Sequence, residues 1–480
     1  MKTKLRFIPL ACAVILTSTG CAVQSPDYSR LLSDAAPQQW TASTLPAGHI
    51  AAWQDFWARW EDPVLVELIT KALEANPDIE TAAANLRAAN ASVTSANAAL
   101  WPTASLGLNG SRNHTDGTGR NSFSAEVSGG LSLNLAGSEF WQADAATLKA
   151  MASAYTLEDV RAATAAATAE AYVNLRAAEA SLAVTKASLE TYLETAETAQ
   201  WQFQAGTGSA SEAEDALMQV ASSRAQIPTL EKNIIQYRNA LMRLTGCPVD
   251  ELGLEPTGII PVPPMGGAVS MPAELIEQRP DVRAAKATAE AAVKNLKSAK
   301  SDFFPTLSLS GNIGTTATAV SALGASGTGV AGLAAALAMP ILNWGNLIAG
   351  EETATANLQS AVASYRSTLL SALEETDNAL TAIRSAEYRK GDLERAVSHA
   401  RTAEKLARDE YGAGIGEYTM LLSTQRSLLS ARESELNNRA DRANSYLTLY
   451  RALGGDWAVN QSVGKSAAPT AAGKLVKELR

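Results

Sequence analysis

The residues able to do covalent chemistry in this 480-residue chain are few and far apart. The three histidines, His49, His114 and His399, fall in separate regions, so no spacing gathers imidazoles around a metal. Cys12, Cys21 and Cys247 leave little material for thiol or disulfide chemistry. The chain has no glycine-rich phosphate cradle and no Ser-His-Asp order. A net charge of −9 argues against nucleic acid, which needs a basic face. No catalytic residue, cofactor or metal is therefore expected. What remains is recognition. Two turns, Ala205-Gly206-Thr207-Gly208 and Ala413-Gly414-Ile415-Gly416, combine backbone freedom with missing side chains that admit another backbone at close range. Ser209, Glu212, Glu214 and Asp215 follow the first turn, and Glu417, Tyr418, Ser423 and Arg426 follow the second. Opposite charges on neighbouring helices would pair, Arg426 with one of Glu212, Glu214 and Asp215.

Long helices must position these turns. Leu175, Leu182, Leu189, Ala196 and Phe203 keep one seven-residue register, with Ala178, Thr185, Tyr192 and Ala199 between them. Val220, Ile227, Ile234 and Leu241 keep another after the turn. Seven-residue spacing marks helices that coil around partners, so the unit is a long antiparallel helical hairpin. Ser138 to Phe203 and Asn346 to Tyr411 each run 66 residues, which spans about 100 Å as a helix. Ser138 and Asn346 are natural N-caps. Pro228 predicts a kink in the returning helix. Lys390, Gly391 and Glu404 interrupt the second ladder, which predicts a bend or a wetter face.

The plan occurs twice. Asn76-Pro77-Asp78-Ile79 matches Arg279-Pro280-Asp281-Val282, and Pro102-Thr103-Ala104-Ser105-Leu106 matches Pro305-Thr306-Leu307-Ser308-Leu309, both at an offset of 203. Gly206, Gly208, Arg243 and Gly246 match Gly414, Gly416, Arg451 and Gly454 at an offset of 208. Each copy holds two strand-like segments. Phe123, Ala125, Val127, Leu131, Leu133 and Leu135 alternate with Ser122, Ser124, Glu126, Ser128, Ser132 and Asn134, the pattern of a half-buried strand and of a membrane strand alike. Ala104, Leu106 and Leu108 alternate similarly, as do Leu307, Leu309 and Ile313, and Ala331, Leu333, Ala335, Leu337 and Met339. Residues 109–121 and about 312–328 read as Gly/Ser/Thr-rich loops. Four strands cannot close a membrane barrel, so membrane strands here require a barrel shared between chains. The other reading of these segments is a small soluble sheet.

The first twenty residues read as a secretory leader, with Lys2, Lys4 and Arg6 before an apolar run too short to span a bilayer. The end, Ser18-Thr19-Gly20-Cys21, resembles a bacterial lipoprotein signal cut before Cys21, although Ser18 stands where the usual box has leucine. Cys21 is then the lipidation site, carrying acyl chains such as palmitate. Ala22 in place of aspartate implies export to the outer membrane. Loss of the three leader cations takes the net charge of −9 to −12.

The lipidated start, Trp60-Glu61-Asp62-Pro63, the paired Pro-Asp helix starts, the paired Pro-Thr-x-Ser-Leu strands and the Ala-Gly-x-Gly turns together resemble the outer-membrane factor family, the TolC-like channels, and in particular the NodT-type efflux lipoproteins. The resemblance covers about Phe56 to Gly454. It implies an α+β membrane protein: a homotrimer with a shared 12-stranded β-barrel continued by a long α-helical periplasmic barrel of coiled-coil hairpins, with a mixed equatorial region. The expected layout is a signal peptide at 1–20, an N-terminal anchor and equatorial segment at 21–61, repeats at 62–246 and 271–454, an equatorial linker at 247–270 and a tail at 455–480. The implied function is the non-enzymatic outer-membrane exit duct of a tripartite efflux system. Its partners would be a periplasmic adaptor and an inner-membrane resistance-nodulation-division pump. Two alternatives stay open: a same-fold duct for type I protein secretion, and a non-channel periplasmic coiled-coil scaffold lipoprotein. The resemblance makes Gly206, Gly208, Ser209, Gly414, Gly416, Glu417 and Tyr418 the adaptor-docking tip. It places a periplasmic gate near Tyr411, Ser423, Arg426, Glu212 and Asp215. In Leu421-Leu422-Ser423-Thr424-Gln425-Arg426-Ser427-Leu428, Ser423 stands where the family pattern has aspartate, so no carboxylate ring carries over to that spot. Cys21→Ser is expected to abolish incorporation of labelled palmitate in cells; continued labelling of the variant would refute lipidation at Cys21.

Overall fold

The computed structural model describes residues 56–115, 118–263 and 279–455. The leader, Cys21, most of the N-terminal segment, residues 264–278 and the tail from 456 lie outside the described residues. The elements follow the duplicated plan. The first copy has α1 (Pro63–Ala75), α2 (Pro77–Ala98), β1 (Thr103–Thr115), β2 (Thr118–Asn134), α3 (Ser138–Gln204) and α4 (Ala210–Thr245). The second has α5 (Pro280–Ser301), β3 (Thr306–Ala317), β4 (Gly329–Ala338), α6 (Trp344–Gly412) and α7 (Tyr418–Ala452). Among the described residues no helix is long and apolar enough to cross a membrane.

The helices start where capping chemistry lets them. Asp62 accepts from the Val64 and Leu65 amides at 3.0 and 3.1 Å, ahead of proline at the first position of α1. Asn76 does the same for α2, and its Nδ2 donates to the Leu244 carbonyl at 2.9 Å, tying the end of α4 to the start of α2. At 67 and 69 residues, α3 and α6 match the expected span. Their N-caps differ from expectation. Gly137, at φ 80°, caps α3, because the Ser138 hydroxyl is occupied across the helix pair, donating to Asp302 at 2.9 Å beside Ser298 on α5. Asn343 precedes α6, and Asn346, inside the helix, donates to it at 2.6 Å. The α4 helix is unbroken through Pro228, and α6 is unbroken through Gly391. On α6 no residue between Ala386 and Val397 is buried, so the interrupted ladder became a wetter face. Glu404 is buried and ion-paired with Arg408.

The central helix is α3. Its first third packs on α5, where Asp144 pairs with Lys294 at 2.7 Å and Tyr155 accepts from Arg283 at 3.2 Å. Its last third packs on α4 and α7, with Gln425 donating to Thr195 at 2.9 Å. The buried seam consists mostly of small residues: Ala165, Ala166, Ala169, Ala171 and Ala178, which allow close helix approach. Of the two interleaved ladders, Ala178, Thr185, Tyr192 and Ala199 are all buried; in the other, Leu175 and Ala196 are buried, Leu182 and Leu189 half-buried and Phe203 49% exposed. One ladder thus faces the helix's partners along its whole length, and the other is buried only at Leu175 and Ala196. Around the middle, Phe56 stacks on Tyr450 with ring centroids 4.7 Å apart, over a core that includes Leu65, Tyr172, Leu175 and Leu241.

A segment after α4 is strapped to α3 by buried charge. Arg176, 2% exposed, donates to Glu179 at 2.8 Å and to the Glu255 carbonyl. Arg238 reaches Glu179 at 3.4 Å and the Leu254 carbonyl at 3.3 Å.

The strands form one antiparallel sheet in the order β1-β2-β3-β4, so the β2–β3 seam joins the two copies. The ladder overturns the expected loops. The β1–β2 pairing runs from Thr103↔Gly130 to Thr115↔Thr118, and β3 runs to Ala317. Residues 109–115, 118–121 and 312–317 are therefore strand rather than loop. Their polar composition is no obstacle, because ladder hydrogen bonds are made by the backbone. Directly opposed residues share a face. Leu106, Val127, Ile313 and Ala331 form one cross-strand row, and Leu133, Leu307 and Leu337 another. The opposite face carries Ser105, Ser128, Ser132 and Ser308, whose hydroxyls pair across strands at 2.9 and 3.1 Å. Leu106, Leu108, Ile313 and Leu333 are 66–89% exposed. An apolar face this open suits hydrocarbon rather than water. Arg176→Met leaves the Glu255 carbonyl unbonded and Glu179 with one distant cation. It is expected to lower stability by about 3 kcal/mol, read as the thermal midpoint of the detergent-solubilised protein, whereas Lys186→Met in the exposed Glu231 pair leaves that midpoint unchanged.

Candidate functional site

The two Ala-Gly-x-Gly turns close with one hydrogen-bond pattern. In the first, the Gln202 carbonyl accepts from the Thr207 and Gly208 amides at 2.9 and 3.0 Å. In the second, the Glu410 carbonyl accepts from the Ile415 and Gly416 amides at 3.1 and 3.0 Å. The two glycines of each turn do different work. Gly206 and Gly414 both sit at φ 75°, the left-handed conformation that ends the helix. At Gly416 a Cβ would lie 2.8 Å from the Tyr411 nitrogen and 2.9 Å from the Glu410 carbonyl carbon. At Gly208 it would lie 3.0 Å from the Gln202 Cβ. The second glycine is thus required by contact with the helix just ended.

The turns are held side by side. Tyr411 donates to the Gln202 Oε1 at 2.6 Å. Beneath them lies a core of Tyr192, Ala196, Ala199, Val220, Tyr411, Tyr418 and Leu421. The Tyr418 phenol is pushed up to about 12, first by burial and next by the nearby Asp215 charge. Burial also raises the Tyr411 phenol, with the Glu212 charge adding to it. A phenol is neutral at physiological pH in any case, and these shifts hold both rings further from ionisation, so Tyr411 keeps the proton it donates.

A family model described as outer membrane efflux protein matches residues 68–247 and 271–455, well over half of the chain and both copies of the repeat. The chain belongs to the outer membrane efflux protein family. It is 28% identical to the solvent efflux pump outer membrane protein SrpC of Pseudomonas putida, over 95% of this chain and the whole of that one. The outer-membrane channel OprN superposes with a TM-score of 0.82 at 25% identity, covering 88% of this chain and 97% of its own. The outer membrane protein VceC of Vibrio cholerae superposes with a TM-score of 0.76 at 25% identity, covering 84% and 99%. The protein is accordingly an outer-membrane efflux channel protein.

In this efflux protein the sequence-derived tip residues divide by exposure. Gly206, Ser209, Gly414 and Glu417 are exposed at the turns, with Gly208 and Gly416 half-buried. Tyr418 is 3% exposed, its ring 6.0 Å from that of Tyr411. Expected at the docking surface, it instead packs beneath the turn, because its position at the start of α7 points into the four-helix core. Ser209 and Glu212 form a reciprocal capping box on α4, at 3.1 and 3.2 Å. The spacing Ser209-x-x-Glu212 is a signal for that cap, so Glu212 has a structural partner in this conformation. Arg426 donates to the Gln219 Oε1 at 2.9 Å, a neutral amide rather than one of the expected carboxylates. Asp215 and Ser423 are exposed. The sequence reading passed over the apolar residues displayed here: Trp201 is 61%, Met420 57% and Ile415 81% exposed. Their exposure depends on which way each helix is turned, which periodicity alone did not settle. Gly416→Ala is expected to cost the second turn about 1–3 kcal/mol through backbone overlap. Faster hydrogen exchange at Ile415 and Gly416, with exchange in the sheet unchanged, is the measurement that checks it.

Proposed function

We propose that three copies of this chain form the passive outer-membrane exit duct of a tripartite efflux system. A periplasmic adaptor would dock at the Ala-Gly-x-Gly turns, and an inner-membrane resistance-nodulation-division pump would supply the energy. The observation that carries the reading is the four-stranded sheet, apolar on one face and serine-rich on the other, with β1 and β4 at its edges. In hydrocarbon an open edge leaves backbone groups unpaired at several kcal/mol each. Pairing the β1 edge of one copy with the β4 edge of the next removes both edges and closes a ring. Three copies are what the family resemblance implies, giving a 12-stranded barrel with its serine face inward. The helices would continue it as a hollow periplasmic barrel.

The domain layout follows the same plan. The two repeats supply strands and hairpins, the segment strapped by Arg176 belongs to the equatorial region, and Cys21 anchors the start to lipid. The adaptor assignment is supported by exposed Ile415 between two glycines, an apolar contact with no bulk beside it. Gate residues Tyr411, Ser423, Arg426, Glu212 and Asp215 would act where the neighbouring hairpins converge. The chain carries out no catalysis in this reading.

Because a relative is named for solvent efflux, small apolar organic compounds are the proposed cargo class. A deletion strain is expected to become hypersensitive to toluene and to hydrophobic antibiotics, with resistance restored by the intact gene. Unchanged sensitivity, together with a heat-stable monomer on seminative gels, would reject the duct.

A further inference from the structure

The far end of the β1–β2 hairpin carries charge that the duct does not use. Counting by twos along β1 from Leu106 and Leu108 places Gly110, Arg112 and His114 on the apolar face. Phe123, Asn121 and Gly119 lie opposite them on that same face. Arg120 falls on the other face, with Ser105, Glu126 and Ser128.

The order along the apolar face is specific. The band of leucine, valine and isoleucine rows ends at Leu108↔Ala125. Next comes Phe123, whose ring lies over Gly110; a Cβ at Gly110 would be 3.2 Å from it. Arg112 is the next residue on the face, about 7 Å further at the rise of an antiparallel strand, and His114 follows. Pairing with β3 has stopped at Phe123↔Ala317, so this end of the hairpin stands beyond it. Gly119 leaves room for both basic groups. The Arg112 Nε and Nη2 lie 3.4 Å, and the His114 Nδ1 3.6 Å, from where a Gly119 Cβ would sit. The two side chains thus meet at one point on the face. Both residues are exposed, and neither has an ion-pair partner among the described residues. The nearest carboxylate in sequence, Asp116, lies outside them.

We propose that Arg112 and His114 form a binding site for the acidic, phosphate-bearing headgroup of a membrane lipid, just beyond the hydrocarbon boundary of the apolar face. The inference rests on the reading that this face meets lipid. An apolar band, an aromatic ring and then a cation is the order in which hydrocarbon, interface and headgroup lie. The guanidinium offers phosphate a planar fork of donors, and the imidazole adds another from the side. Arg120, on the serine face of the same hairpin, is turned away from the bilayer and supplies an internal control.

The test uses full-length protein in neutral detergent, titrated with phosphatidylglycerol. Bound lipid is counted by native mass spectrometry, with zwitterionic phosphatidylcholine for comparison. Wild type is expected to retain phosphatidylglycerol in preference to phosphatidylcholine. The double variant Arg112→Gln/His114→Gln is expected to lose at least about fivefold in that affinity. Arg112→Lys keeps most of it, and Arg120→Gln leaves it unchanged. A double variant that binds as wild type does overturns the site and leaves the lipid-facing reading standing. Equal loss in Arg120→Gln overturns both, because the serine face would then be the one in contact with lipid.

Discussion

Backbone amides and carbonyls have no water to bond with in hydrocarbon, and that constraint governs this chain. The duplicated sequence supplies two hairpins, and the β2–β3 seam joins them into one sheet. Over their shared register β2 and β3 are bonded on both sides, whereas β1 and β4 each leave one edge open. A sheet with one greasy and one serine face can neither fold back on itself as a core nor stand alone in lipid. The two open edges are what the proposed assembly of several copies would close.

The helices answer a different demand, that of length without thickness. A seam of alanines lets α3 lie close to α5 near the sheet and close to α4 and α7 further down. One continuous helix thereby links the membrane end to the turns. Buried charge is confined to a few paired positions. Arg176, Glu179 and Arg238 tie the linker to α3, and Arg279 joins Asp281, Glu375 and the Ala452 carbonyl where the second copy begins. At the turns, the left-handed glycine ends each helix and the second glycine lets the returning chain touch it. Beneath them the Tyr411 hydroxyl, bonded to Gln202, ties one hairpin to the other over the buried Tyr418 ring.

Much of this was legible because periodicity and punctuation are local. The Pro-Asp starts, the glycine turns and the alternating strand from Phe123 to Leu133 each declare an element within a dozen residues. Composition and strand pairing disagree at the β1–β2 hairpin and at the end of β3. Asn109 to Asn121 looks like a loop by composition, yet Asp116-Gly117 between two runs is also the signal of a tight hairpin. Strand pairing depends on backbone partners, which composition does not report. Tyr418, Glu212 and Arg426 were placed at the tip by their position in the chain. Their roles came from neighbours more than two hundred residues away or from a cap three residues back.

Duplication, long hairpins ending in glycine turns, and strands with unlike faces are all written into the chain. These follow from spacing, because periods of seven, two and 208 residues are properties of the text. Folding set which rungs of α3 are buried, which partner Arg426 takes, and the convergence of Arg112 and His114 over Gly119 on the apolar side while Arg120 faces away. Those outcomes depend on helix rotation and strand register. A single-residue change in either would reverse them without altering any local pattern.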